Sequence, residues 1–195
     1  MEQAVPRSFA TSLPNVLTYA RIVAVPMLVA CLYFLQGYAA RWSAFALFVA
    51  AALTDWLDGY LARAWAQQST LGRMLDPIAD KLIVGATLLM LVHDNTISGI
   101  NVWAAVIILC REILVSGLRE FLAELNVKIH VSQLAKYKTA LQMVALAVLL
   151  AGPAADKLLP GITTLGLIIF WVAALLTLWT GYDYLKAGVR HAIER

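Results

Sequence analysis

Long, mostly apolar stretches constrain this chain more than any other feature. Segments 15–37, 101–124 and 161–185 are dominated by Leu, Ile, Val, Ala and aromatic residues. Each reaches or exceeds the ~20 residues that carry a helix across a bilayer core. In lipid every backbone polar group needs a partner within the protein, so stretches of this kind are helices. Composition agrees. Of 195 residues, 62% are hydrophobic and 14% charged, where a soluble domain has about half and a quarter. The pattern predicts an all-α integral membrane protein with six transmembrane helices, at about 15–37, 42–64, 77–94, 101–124, 132–152 and 161–185. Turn-forming residues mark the short connections GYAAR, HDNTISG and AGPAADKLLPG. No soluble stretch is long enough to fold alone. Residues 1–195 are therefore expected to form a single membrane domain, with 1–14 a short juxtamembrane segment. The N-terminus lacks the pattern of a cleaved signal peptide.

The placement of charge predicts the orientation. With the N-terminus inside, thirteen of the fifteen Lys and Arg fall on the inner side, and only Arg41 and Lys157 fall outside. This bias places both termini in the cytoplasm. The net charge of +3 then reads as topology and contact with anionic lipid, with no nucleic-acid partner required. Trp179, Tyr182 and Tyr184 read as an interfacial belt near the end of the last span. Cys31 and Cys110 sit inside apolar runs, with neither disulfide nor metal spacing. His93, His130 and His191 form no pattern.

Against this apolar background, four aspartates stand within TDWLDGYLARAWAQQSTLGRMLDPIADK, residues 54–81. Asp55 and Asp58 are three apart and share a helix face; Asp76 and Asp80 are four apart and do the same. Asp76 before Pro77 reads as a helix start, with Asp as cap and Pro at the first helical position. One interfacial aspartate would be ordinary, and Asp76 alone could be only a cap. Here, however, four of the twelve acidic residues crowd into one segment. Asp55 and Asp58 also fall inside a predicted span, where a carboxylate is costly and usually functional. Four carboxylates aimed at one point repel unless cations hold them. Hard divalent cations take oxygen ligands of this kind, and two such ions beside a diphosphate suit phosphoryl chemistry. The reading from another class is a divalent-cation or proton-coupled transporter. Transporters tend to place such groups near the midplane in repeated halves; these acids lie toward one face, and no repeat is visible.

Taken with its neighbours, the stretch resembles the signature of the CDP-alcohol phosphatidyltransferases. Asp55-x-x-Asp58-Gly59-x-x-Ala62-Arg63, eight residues, then Gly72-x-x-x-Asp76-x-x-x-Asp80 match it at all eight positions with the correct spacing. The resemblance implies six membrane helices, a homodimer, two divalent cations (Mg²⁺ or Mn²⁺) on the cytoplasmic side, and displacement of CMP from a CDP-linked lipid by an alcohol. It implies Asp55, Asp58 and Asp76 as metal ligands. Asp80 is implied as general base and as a further metal ligand. Asp58, Gly59, Ala62, Arg63 and Gly72 are implied on the nucleotide side. Small residues at 59 and 62 let a ligand approach the helix backbone, although they equally permit tight helix packing. Arg63 suits a phosphate or simply the interface. Near the N-terminus, Pro14-Asn15-Val16-Leu17-Thr18-Tyr19-Ala20-Arg21 resembles a segment shared by several branches of the family, which implies nucleotide contacts for Asn15 and Thr18. Its bland alternative is a helix start followed by an interfacial arginine.

Two further runs bear on the acceptor alcohol. Arg111 and Glu112 lie about ten residues into the fourth span, where charges need a partner or a wet cavity. Glu112, Ser116 and Arg119 share a face at i, i+4 and i+7. In the fifth span Lys138 and Gln142 share a face, and Lys136 lies near Thr139. The alternatives are an internal ion pair and a snorkelling basic helix end. Together these cations suit an acceptor that carries its own phosphate. The runs resemble those of the family's branch that uses sn-glycerol 3-phosphate, with CDP-diacylglycerol as donor. That implies an acceptor-phosphate role for Arg111, Arg119, Lys136, Lys138 and Thr139, and a multi-pass protein of the bacterial inner membrane. Inositol-phosphate transfer is the nearest rival.

Overall fold

The computed structural model describes residues 13–65, 70–124 and 133–193. Its described residues form six helices and no strand: α1 (Leu13–Phe34), α2 (Gly37–Trp65), α3 (Thr70–His93), α4 (Asn101–Glu124), α5 (Gln133–Ala155) and α6 (Ile162–Ile193). Among the described residues, four segments are long and apolar enough to cross a membrane: Asn15–Phe34, Asn101–Leu122, Tyr137–Ala155 and Ile162–Tyr182. The remaining two helices, α2 and α3, carry the aspartates.

The chain divides into two compact units, Met1–Met90 and Leu91–Arg195. In the first, α1 packs along α2. Leu28, Ala44, Phe48 and Ala51 from these helices are buried, as are Ala79 and Ile83 of α3. In the second, α6 packs on both α5 and α4. Small residues bring α5 and α6 close. A Cβ on Gly152 would fall 2.6 Å from Thr163 Oγ1, and one on Gly166 would fall 3.0 Å from Leu149 Cδ2. Close approach of this kind drives helix association in lipid, where apolar burial gives no preference between helices.

Beside the apolar core, burial departs from the pattern of a soluble protein in two ways. Asn15, Thr18, Arg21, Lys138, Gln142 and Thr180 are buried, while Val23, Leu53, Ile113, Leu175, Leu178 and Trp179 are exposed. Polar side chains turned inward and large apolar ones turned outward are what a hydrocarbon solvent selects. Trp179 and Tyr182 are exposed on α6, as a belt at the interface requires; the side chain of Tyr184 lies outside the described residues.

Two boundaries differ from the sequence expectation. GYAAR, expected as a connection, is the first turn of α2, leaving only Leu35 and Gln36 between α1 and α2. Similarly, α3 begins at Thr70, so Pro77 is inside the helix and Asp76 is not its cap. Proline fixes φ in the helical range and removes one hydrogen bond, so a helix can run through it when its turns are held elsewhere. Here Thr18 of α1 holds the turn at Asp76, and Lys81 Nζ donates to the Pro77 carbonyl at 3.0 Å.

Candidate active site

The first unit gathers three of the four aspartates around polar side chains of α1. The Thr18 hydroxyl donates to Asp76 Oδ1 at 2.6 Å. Arg21 Nη1 donates to Asp80 Oδ1 at 2.7 Å and lies 2.8 Å from Asp55 Oδ1. A single nitrogen thus ties α1 to α2 and to α3, and holds two carboxylate oxygens within the sum of those distances. Arg21 is almost wholly buried, with 1% of its side chain exposed, whereas Asp55 and Asp80 are 47% and 50% exposed. The cation forms the floor and the acids form the rim.

This arrangement follows from local sequence. Asn15, Thr18 and Arg21 recur every three residues on a helix that is otherwise apolar, and that spacing keeps them near one face. All three are buried. Arg21 is the side chain of this cluster that charge counting overlooked, because an arginine near a helix end reads as an interfacial anchor. The recurrence at 15, 18 and 21 was the available signal. Thr18, expected on the nucleotide side, directs its hydroxyl to Asp76. Gly72 is buried in the first turns of α3. The side chains of Asp58, Ala62 and Arg63, together with Gly59, lie outside the described residues.

The donor set fits a hard divalent cation in its chemistry: all the donors are carboxylate oxygens, and those of Asp55 and Asp80 already meet at one positive atom. Among the described residues no three His, Cys, Asp or Glu side chains form a metal-holding group.

The second unit contains a cluster of opposite sign. Glu112 Oε1 accepts from Lys138 Nζ at 2.5 Å and from Arg111 Nη1 at 3.2 Å. Arg111 Nη2 also donates to Thr180 Oγ1 at 3.4 Å, which brings α6 into the network. Lys138 is 2% exposed and Glu112 25%. Gln142, one turn after Lys138, is buried beside it on the same face of α5, as its spacing predicts. Arg119 and Thr139 are exposed. The side chain of Lys136 lies outside the described residues. The Arg111–Glu112 ion pair weighed as a bland alternative is present, but Lys138 shares its carboxylate.

Residues 11–179 match the description of the CDP-alcohol phosphatidyltransferases. The chain belongs to that family. The family's eight signature positions divide between α2, which carries 55–63, and α3, which carries 72–80. Relatives with a more specific name cover nearly the whole chain. A protein of Rickettsia bellii is 47% identical over 90% of this chain and 94% of its own length. One of Salmonella choleraesuis is 41% identical over 91% of this chain and 94% of its own length. One of Cereibacter sphaeroides is 40% identical over 91% of this chain and 96% of its own length. All three are named CDP-diacylglycerol–glycerol-3-phosphate 3-phosphatidyltransferase.

Proposed function

We propose that the chain is an enzyme that transfers the phosphatidyl group of CDP-diacylglycerol to the 1-hydroxyl of sn-glycerol 3-phosphate. The products are phosphatidylglycerophosphate and CMP. The observation that carries the chemistry is the meeting of Asp55 and Asp80 at Arg21, with Asp76 fixed beside them by Thr18. The acceptor is supported by relatives of that name spanning nine-tenths of the chain.

In this reading the acceptor hydroxyl oxygen forms the new bond to the lipid-side phosphorus. The bond from that phosphorus to the bridging oxygen breaks, and CMP departs with the electron pair. Asp80 takes the proton from the hydroxyl. Asp55, Asp58, Asp76 and Asp80 are the residues that would hold two divalent cations, Mg²⁺ or Mn²⁺. When bound, these neutralise the diphosphate and stabilise the attacking and leaving oxygens. Thr18 and Arg21 fix the directions of three of the carboxylates, so little reorganisation accompanies reaction. Asn15, Thr18, Asp58, Gly59, Ala62, Arg63 and Gly72 line the nucleotide. Arg111, Arg119, Lys136, Lys138 and Thr139 bind the acceptor's phosphate through charge-assisted hydrogen bonds.

All six helices cross the membrane and both units serve one catalytic domain. The termini and the aspartates face the cytoplasm, as the distribution of Lys and Arg supports. The water-soluble acceptor enters from that side, and the lipid tails remain in the bilayer. The protein works as a homodimer in the bacterial inner membrane. To test the reaction, purified protein in detergent is given CDP-diacylglycerol with Mg²⁺ or Mn²⁺, and CMP release is followed with each candidate acceptor. Release is expected with glycerol 3-phosphate and little with inositol phosphate or serine. Release only with another acceptor would move the assignment within the family; none with any acceptor removes it.

A further inference from the structure

The Gly181-Tyr182 end of α6 has no part in the reaction as described, yet Gly181 is buried and mid-helix. Glycine is among the poorest residues inside a helix, so its place there calls for a physical cause. A Cβ at 181 would fall 3.0 Å from Arg111 Cγ, with Arg111 Nε and Cδ also within 4.0 Å. The arginine's aliphatic stem therefore lies against bare α6 backbone. Its guanidinium is held at both ends, by Glu112 at 3.2 Å and by the Thr180 hydroxyl at 3.4 Å. Thr180 is itself buried and donates back to the Leu176 and Thr177 carbonyls at 3.0 and 3.2 Å. Its hydroxyl oxygen is thus turned to accept from Arg111. The fork of a guanidinium recognises phosphate only in the correct plane, so what fixes that plane sets how the anion is read.

We propose that Thr180 and Gly181 are positioning residues for Arg111: α6 provides a seat that sets the plane of the guanidinium toward the acceptor's phosphate. The inference rests on the acceptor-phosphate role given to Arg111 above. Gly181 acts by leaving space and Thr180 by fixing one end of the fork. Neither touches the substrate.

The test is a double-mutant cycle on the full-length protein in detergent, read by equilibrium binding of labelled glycerol 3-phosphate and by both KM values. Gly181→Ala displaces the Arg111 stem by a few tenths of an ångström. It should weaken glycerol 3-phosphate roughly three- to tenfold while leaving the KM for CDP-diacylglycerol in place. In an Arg111→Ala background, where no stem remains to displace, Gly181→Ala should have no further effect. A full Gly181→Ala effect in that background, or an equal rise in both KM values, overturns the seat. If Arg111→Ala alone leaves acceptor binding unchanged, the phosphate role of Arg111 falls, and the seat with it. Thr180→Val carries the same cycle, with a smaller effect, if Gly181→Ala does not accumulate.

Discussion

In the first unit one buried cation, Arg21, is met by two half-exposed acids, Asp55 and Asp80, with Asp76 nearby on Thr18. In the second unit two cations, Lys138 and Arg111, share one partly exposed acid, Glu112. In both the cations are the more buried partners. Their long aliphatic stems belong in an apolar interior and only the heads need partners, whereas the stems of Asp and Glu are short and leave little to bury. The remaining charge differs in sign. Three carboxylates against one guanidinium leave the first cluster formally negative. Two cations against one carboxylate leave the second formally positive. The first is suited to cations and the second to an anion, which is the division that a metal-dependent transfer to a phosphorylated acceptor needs.

The largest effect that separates the two clusters is on turnover. Asp80→Asn should lower kcat by about 10²- to 10⁴-fold, the usual contribution of a positioned base. It should keep more Mn²⁺ binding, followed by electron paramagnetic resonance, than Asp55→Asn does. Equal loss of metal in both variants would remove the distinction between base and ligand. No substitution in the Glu112 cluster should alter Mn²⁺ binding.

Next in size is the loss of Arg21. Breaking a buried ion pair from one side costs about 3–5 kcal/mol when the surviving charge stays buried. Here the surviving carboxylates are half exposed and partly hydrated, so Arg21→Ala should cost about 1–3 kcal/mol. Thermal unfolding in detergent measures this, and Arg21→Lys should recover part of it by keeping the charge without the fork. An unchanged midpoint in Arg21→Ala would mean that the floor of the aspartate cluster is not structural.

These two clusters were not equally legible in the sequence. The aspartates could be read because their spacing of three and four survives any small error in helix ends, and because carboxylates inside an apolar run are rare. Arg21 could not be placed by charge alone: an arginine near a helix end looks the same whether it points to headgroups or across to α2 and α3. Choosing between these needs the rotation of α1, which tertiary packing sets. The start of α3 was misplaced because Asp76-Pro77 is a strong local start signal, whereas the helix begins at Thr70 and the turn at Asp76 is held by Thr18, 58 residues away in sequence. In the second cluster, the stripe of Glu112, Ser116 and Arg119 marked one face of α4, but Arg119 on that face is exposed, so the stripe did not settle which of its charges turn inward. That Lys138 would share the Glu112 carboxylate depended on how α5 meets α4. Four apolar spans could be read directly; α2 and α3 are weaker by composition because they carry the site.

A smaller effect probes the sign of the second cluster. Arg119→Ala should raise the KM for glycerol 3-phosphate about tenfold, the worth of one charge-assisted contact, and raise that for CDP-diacylglycerol much less. The reverse pattern would place Arg119 with the nucleotide and contradict an anion site in this unit. The rise should also shrink at high salt, because Arg119 is exposed.

The smallest effect comes from a carboxylate held by hydrogen bonds from Thr163 and the start of α6, and it sets a scale for the ion-paired acids. Asp156, between α5 and α6, is held by Thr163, through its side chain and its backbone N–H, which lies 3.0 Å from Oδ1. The N–H groups at the start of α6 add to this, and together they hold its carboxyl below the ordinary value of 3.8. A carboxyl lowered in the folded state favours folding wherever the group is ionised in both states, which is above the unfolded value. That contribution fades as pH falls through the lowered folded value. The gap in unfolding midpoint between the wild type and Asp156→Ala should therefore be small but present at neutral pH, and should close in acid below about pH 3.8. A gap that stays constant through acid would mean that Asp156 acts by packing or turn geometry rather than by its charge. In that case it could not serve as a hydrogen-bonded reference for Asp55 and Asp80.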